Sequence, residues 1–252
     1  MQNVHVILRK EDLEPARLQG RVVVVFDVMF ATTTIATVLA HGAAAVIPAR
    51  DADEARRAAA GLAEGEYLLA GESRLHAIPG FLPAVPLRLL REPLAGRQLV
   101  YSTTNGTVAL LESEPAAAVY AGALVNGRAV AERLASRHGE ETVLLVCAGS
   151  GGGFNVEDFV GAGHVIHHLT SSEPDRWALT DAALAARELY RAHAGQLARL
   201  LLQCRLGRLM QAAGQLAELE HAARLDVYDC VPALQERRLV AAVDSEERLY
   251  TV

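Results

Sequence analysis

Three short stretches hold most of the residues able to do chemistry. The first runs Phe26-Asp27-Val28-Met29-Phe30-Ala31-Thr32-Thr33-Thr34, and the second Ser102-Thr103-Thr104-Asn105-Gly106-Thr107. The third runs Cys147-Ala148-Gly149-Ser150-Gly151-Gly152-Gly153-Phe154-Asn155-Val156-Glu157-Asp158. Hydroxyls, glycines and an amide at a helix N-terminus sit beside unpaired N–H donors and a partial charge of about +0.5, which suits phosphate. One such turn reads equally well as a threonine or serine cap. Three on one sheet edge favour an anion site. Carboxylates accompany them. Asp27 ends a buried strand, where a charge is costly unless paired or bound to a cation. Glu72 follows Gly71, and Glu157 and Asp158 follow the third turn. Oxygen donors beside an anion suit Mg²⁺, which takes one or two carboxylates, keeps water and reaches a phosphate.

Other patterns carry less. The dinucleotide fingerprint needs glycine at position 154, where Phe154 stands. Ala148-Gly149-Ser150-Gly151-Gly152 is a relaxed nucleophile elbow, and Ser150 is a weak candidate for a serine hydrolase because no histidine is picked out as its base. His164, His167 and His168 have the i, i+3, i+4 spacing that can bind a metal on one helix face. No HExxH accompanies them, and a half-exposed histidine cluster is the plainer expectation. Asp226, Asp229 and Cys230 are too weak a set to read alone.

The candidates need strand-to-helix turns to hold them. Val22 to Phe26 is a continuous apolar, β-branched run, the mark of a strand buried on both faces of a parallel sheet. Further strands are expected at Val4–Leu8, Ala44–Pro48, Tyr67–Ala70 and Val143–Val146, with helices at Thr32–Ala40 and from Asp51 or Asp53 to about Ala63. Gly71 to Pro93, with Pro79, Pro83, Pro86 and Pro93, predicts a long loop that packs on the body. Thr180 to about Leu225 predicts two or three helices with breaks near Gly195, Gly207 and Gly214, before a last strand from Leu239 to Val243. Alternating β and α predicts an α/β fold of mostly parallel sheets flanked by helices, with a helical C-terminal region. Gly20-Arg21, a strand, a threonine-rich turn, a helix and Ala43–Val46 recur as Gly96-Arg97 through Ala116–Val119, about 70–76 residues on. The repeat predicts two pseudo-repeated βα lobes, about 20–95 and 96–170, within a single domain over 1–252.

Composition removes whole classes of function. The 252 residues are 51% hydrophobic and 21% charged, so the chain can bury a real core. A net charge of −6 and 5% aromatics argue against nucleic acid as the main partner. Lys10 is the sole lysine, which excludes a P-loop or Schiff-base lysine unless it serves. Three dispersed cysteines, no signal-peptide core and no apolar run near about 20 residues predict a cytoplasmic protein with no membrane partner. A homo-oligomer is compatible with an α/β body of this size.

The chain resembles the 2-phosphosulfolactate phosphatases, Mg²⁺-dependent enzymes of coenzyme M biosynthesis, over nearly its whole length. The likeness rests on Phe26-Asp27-Val28 through Ala31-Thr32-Thr33-Thr34, Gly71-Glu72, Gly80-Phe81, Ser102 to Thr107, Cys147-Ala148-Gly149, Glu157-Asp158-Phe159 with Gly161-Ala162-Gly163, and Asp226 with Val231-Pro232. It implies hydrolysis of a phosphate ester on a small sulfonated hydroxy acid. Asp27, Glu72 and Glu157 are then the expected metal ligands, and Asp27 and Asp158 the catalytic carboxylates, with Asp158 preferred for handling the attacking water. Thr33, Thr34, Thr103, Thr104, Asn105, Gly106, Thr107 and Gly151 are expected to bind a small anionic phosphate ester. The family has arginine where this chain has Phe30, and a polar run where it reads Leu82-Pro83-Ala84-Val85-Pro86. A doubly anionic substrate favours an arginine fork. These departures open an alternative: a non-catalytic or altered-specificity binder of a small phosphorylated metabolite.

Overall fold

The computed structural model describes residues 1–242. Its strands are β1 (Gln2–Ile7), β2 (Val22–Phe26), β3 (Ala45–Ala49), β4 (Tyr67–Ser73), β5 (His76–Ala77), β6 (Gln98–Ser102), β7 (Ala118–Gly122), β8 (Val143–Cys147), β9 (Trp177–Leu179), β10 (Pro232–Gln235) and β11 (Arg238–Ala241). The helices are α1 (Ala31–Ala40), α2 (Ala52–Ala60), α3 (Pro86–Leu89), α4 (Gly106–Glu112), α5 (Gly127–Arg137), α6 (Val156–Ser172), α7 (Asp181–His193), α8 (Leu197–Gln203), α9 (Arg205–Ala212) and α10 (Leu216–Ala222). One large, mostly parallel sheet runs in the order β5-β4-β6-β3-β11-β10-β7-β2-β8-β1-β9, flanked by helices. No helix among the described residues is long and apolar enough to cross a membrane.

The sheet is two parallel groups joined by an antiparallel hairpin. β4, β6 and β3 form one group; β7, β2, β8, β1 and β9 form the other. The hairpin of β10 and β11 touches each group through one residue pair, Leu239 with Val46 and Ala233 with Tyr120. The two βα units cross between the groups. β2–α1–β3 begins in the larger and ends in the smaller, while β6–α4–β7 runs back. β2 therefore pairs in register with β7, from Val22–Ala118 to Phe26–Gly122, and β3 with β6, from Ala45–Gln98 to Ala49–Ser102. Gly20 and Gly96 precede the two leading strands with the same φ of +73°, which glycine adopts without steric cost.

The exchange curls the sheet. β6 and β2 are five positions apart, about 24 Å across a flat sheet at roughly 4.8 Å per strand. Yet a Cβ placed on Gly106, just beyond β6, would lie 2.5 Å from Oδ2 of Asp27, just beyond β2. The two groups close toward each other around α1 and α4. One core cluster accordingly unites Val23 and Val25, Val46, Leu99 and Tyr101, and Val119 and Ala121 with Ile35, Val38 and Leu110 of those helices. Each such buried side chain stabilises the fold by about 1.5–3 kcal/mol. A second cluster covers the outer face of the larger group, where Val22, Val24, Phe26 and Leu145 meet Leu134, Val160, Ile166 and Leu169.

Several elements differ from expectation. β4 runs on through Glu72 and turns back into β5 instead of ending at Ala70. The short strands β9 and β10 carry too few residues for a sequence pattern. β11 covers 238–241, and Val243 lies outside the described residues. Among the described residues, the stretch 180–225 folds into four α-helices. The break falls at Cys204, whereas Gly207 lies inside α9, because a Cβ there would run into the Leu201 carbonyl. Its role is close packing.

Candidate active site

Asp27 is set at the end of β2 by a turn that closes on its own backbone. The Phe30 and Thr32 N–H groups donate to its carbonyl at 3.3 and 3.1 Å, and its N–H donates to Thr32 Oγ1 at 3.0 Å. Its carboxylate accepts the N–H groups of Ala31 and Gly106, the first residues of α1 and α4. One carboxylate thus joins the starts of the two crossover helices. Only glycine fits at position 106, since a Cβ would also collide with Ala31.

The second turn is laced from within. The Thr103 N–H donates to Thr107 Oγ1 at 3.0 Å, the Thr107 N–H to Thr103 Oγ1 at 3.2 Å, and the Thr107 hydroxyl to the Ala49 carbonyl at 2.8 Å. Glu72 ties this turn to the β4–β5 hairpin by accepting the N–H groups of Thr104 at 2.7 Å and Leu75 at 2.6 Å. The third turn is tied to the first through Asp158. Its two oxygens accept the N–H groups of Val28 at 2.9 Å and Gly149 at 3.1 Å.

The three turns meet. Asp27, Glu72, Thr104, Asn105, Ser150 and Gly151 line one cavity of about 320 Å³, with Phe30, Arg74, Leu75 and Leu206 completing the wall. Gly106 lies beneath, its N–H spent on Asp27. Four other expected binders stay out of the cavity. The hydroxyls of Thr33 and Thr34 donate to the carbonyls of Val28 and Ala84, and Thr103 and Thr107 bond each other. All four are buried and hold the turns in shape. Asp158 also differs from expectation. It is 1% exposed with both oxygens engaged by backbone, so it fastens two turns together and is not free to handle water.

The charges are stacked against each other. Burial, then the Glu72 charge, pushes the Asp27 carboxyl up to about 7, against the pull of its two N–H donors. Burial, then the charges of Asp27 and Glu157, raises Asp158 well above the ordinary range. Glu157 is raised by burial and shares a hydrogen bond with the Cys204 thiol, itself pushed up to about 12. A hard divalent cation would relieve this crowding, and the oxygen donors match one. Asp27 and Glu72 face the cavity, while Glu157 is buried behind it. Their ligand atoms do not close into a three-residue cage among the described residues. That pattern fits a cation held by one or two carboxylates with water completing its shell.

Cations ring the cavity. Lys10 Nζ donates to Asn105 Oδ1 at 3.0 Å and also pairs with Glu11 at 2.6 Å. Arg205 donates to Ser150 Oγ at 2.7 Å, Arg9 to the Gly152 carbonyl at 2.8 Å, and Arg74 stands in the wall. Among the described residues no histidine is hydrogen-bonded to Ser150, which leaves it without a base. Sequence reasoning did not reach Lys10, Arg74 or Arg205 as site residues. Lys10 carried a signal as the sole lysine; nothing distinguished the two arginines from the many others.

A family model described as 2-phosphosulpholactate phosphatase matches residues 7–237. The chain belongs to this family. A probable 2-phosphosulfolactate phosphatase of Symbiobacterium thermophilum is 38% identical, over 91% of this chain and 98% of that protein. One from Carboxydothermus hydrogenoformans is 35% identical over 94% and 96%, and one from Clostridium beijerinckii 28% over 94% and 98%. The family match takes in all three turns, Lys10, Arg205 and β10, and ends before β11.

Proposed function

We propose that the chain is a Mg²⁺-dependent phosphatase acting on a small phosphorylated hydroxy acid. The reading is carried by the convergence of Asp27, Glu72, Asn105 and the third turn on one cavity ringed by Lys10, Arg74 and Arg205. The names of the relatives make 2-phosphosulfolactate the first substrate to test. Asp27 and Glu72 would hold the ion, with Glu157 acting through water. When bound, Mg²⁺ neutralises phosphate oxygens and offsets charge that develops on them. Thr104, Asn105 and the glycine-rich turn orient the phosphoryl group, and Lys10 offers its oxygens a cation. Asp27, which faces the cavity where Asp158 does not, is placed to orient the attacking water. Asp158 keeps the first and third turns in register. The test is release of inorganic phosphate from 2-phosphosulfolactate and a panel of phospho-acids, with Mg²⁺ and with chelator. Turnover that is absent, or indifferent to chelator, removes the reading.

A second reading has its own support. Phe30, Glu72, Leu75 and Leu206 also line an adjoining cavity of about 350 Å³, whose further wall includes Val85, Leu209 and Met210. An apolar chamber beside an anion site suits an ester with an apolar arm. Under this reading kcat/KM rises as the acid's side chain lengthens from methyl to isobutyl or benzyl, and the sulfonate is a poor substrate. Tight binding of every panel member without turnover would instead identify a binder.

A further inference from the structure

We infer that His164, His168 and Asp226 form a site for a late first-row divalent metal, Zn²⁺ by its donor chemistry, separate from the phosphate cavity. Both histidines lie on α6, one turn apart. Asp226 arrives from the segment leading into β10, placing Oδ1 2.9 Å from His164 Nε2 and Oδ2 3.2 Å from His168 Nε2. The three ligand atoms lie within 4.8 Å of one another, the one such trio of His, Cys, Asp or Glu among the described residues. Donors bound at about 2.0–2.1 Å to a common ion stand close to that spacing.

The surroundings hold these side chains in place. His164 is fully buried, and its ring occupies the space a Cβ on Gly127 would need. Tyr190 packs against His164 and His167. Asp226 adopts a φ of +51°, unusual for a residue with a side chain. Its N–H donates to the Leu124 carbonyl at 3.0 Å, and its Oδ1 accepts the Arg128 N–H at 2.7 Å. Two imidazoles and one carboxylate suit zinc and its neighbours, whereas Mg²⁺ prefers oxygen alone. His168 is half-buried and opens on a cavity of about 390 Å³, also lined by Glu132, Ser172 and Glu173, which leaves a coordination position to solvent. Binding places the ion at each Nε2 and the ring proton at Nδ1. Among the described residues the Nδ1 of His164 has no partner, so this ring lacks the acceptor that usually strengthens a metal-bound histidine. The affinity is therefore expected to fall roughly 10–100-fold short of that of a site whose histidines all have such acceptors. The metal staples α6 to the segment entering the β10–β11 hairpin, and its ligands are none of the residues that line the phosphate cavity.

The full chain, stripped with chelator and kept in excess Mg²⁺ to fill oxygen sites, is titrated with Zn²⁺ by calorimetry, and with Co²⁺ by visible absorption. One equivalent is expected to bind, with a rise in melting temperature. His168→Gln and Asp226→Asn are each expected to weaken binding by roughly 10–100-fold and abolish the Co²⁺ d–d band. Cys204→Ser is expected to change neither, and far-UV circular dichroism checks that each variant is folded. No equivalent bound, or binding undiminished in both folded variants, overturns the site and leaves a His–Asp–His hydrogen-bonded clamp. Phosphatase assays read the other cavity, so their failure and this one are separable.

Discussion

In the proposed function Asp27 is the residue on which the chemistry turns, and its cost to the fold is readable in pH. Its folded pKa lies above the unfolded one, so between 3.8 and about 7 the folded chain keeps a proton that the unfolded chain has released. Stability therefore falls as pH rises through that window. Asp27→Asn is expected to lose at least about 100-fold in phosphatase kcat. It should also flatten this pH dependence of stability in metal-free protein, measured by calorimetry across about pH 4–8. Protons compete with the metal at the same oxygens, so the Mg²⁺ needed for half-maximal rate should increase as pH drops below 7. In the same proposal Lys10 acts at the rim, beside Asn105, where charge meets substrate. Lys10→Met is expected to raise KM for an anionic ester about 10-fold with kcat little changed, and the effect should shrink in high salt.

At the level of elements, the site is a meeting of helix starts. α1 and α4 both begin on the Asp27 carboxylate, and Glu72 and Asp158 lace the flanking turns to them. Gly106→Ala forces a methyl between Asp27 and Ala31. It is expected to destabilise the protein by about 1–3 kcal/mol in urea unfolding, and to cut activity beyond what the lost stability explains. The elements that were readable are those with long, strong patterns. The apolar run of β2, the Asp51 cap of α2, whose oxygen accepts the Glu54 N–H at 2.7 Å, and the 17-residue α6 all follow from local preference. β9 and β10 were not readable, because strands of three and four residues exist only through their partners.

For the whole molecule, the decisive feature is the closure of two parallel groups by one hairpin. Leu239 pairs with Val46 and lies fully buried in the core that both groups share. Leu239→Ala is expected to cost about 2–5 kcal/mol by chemical denaturation, because a cavity there loosens both halves at once. Activity should fall in parallel, since β2 and β6 bring their ends together only in the closed arrangement.

Amino-acid order by itself determined the alternation of β and α, the family likeness and the threonine-, glycine- and carboxylate-rich turns, because strand burial, capping and turn chemistry act over a few neighbouring residues. It marked Thr33, Thr103 and Thr107 as equals of Asn105. Only the fold separated hydroxyls that bond backbone from groups that face the cavity. Tertiary structure alone brought Lys10 to Asn105, Arg205 to Ser150 and Asp226 to His164. Those pairs are 95, 55 and 62 residues apart, and such meetings depend on how the two groups close, which no local pattern encodes.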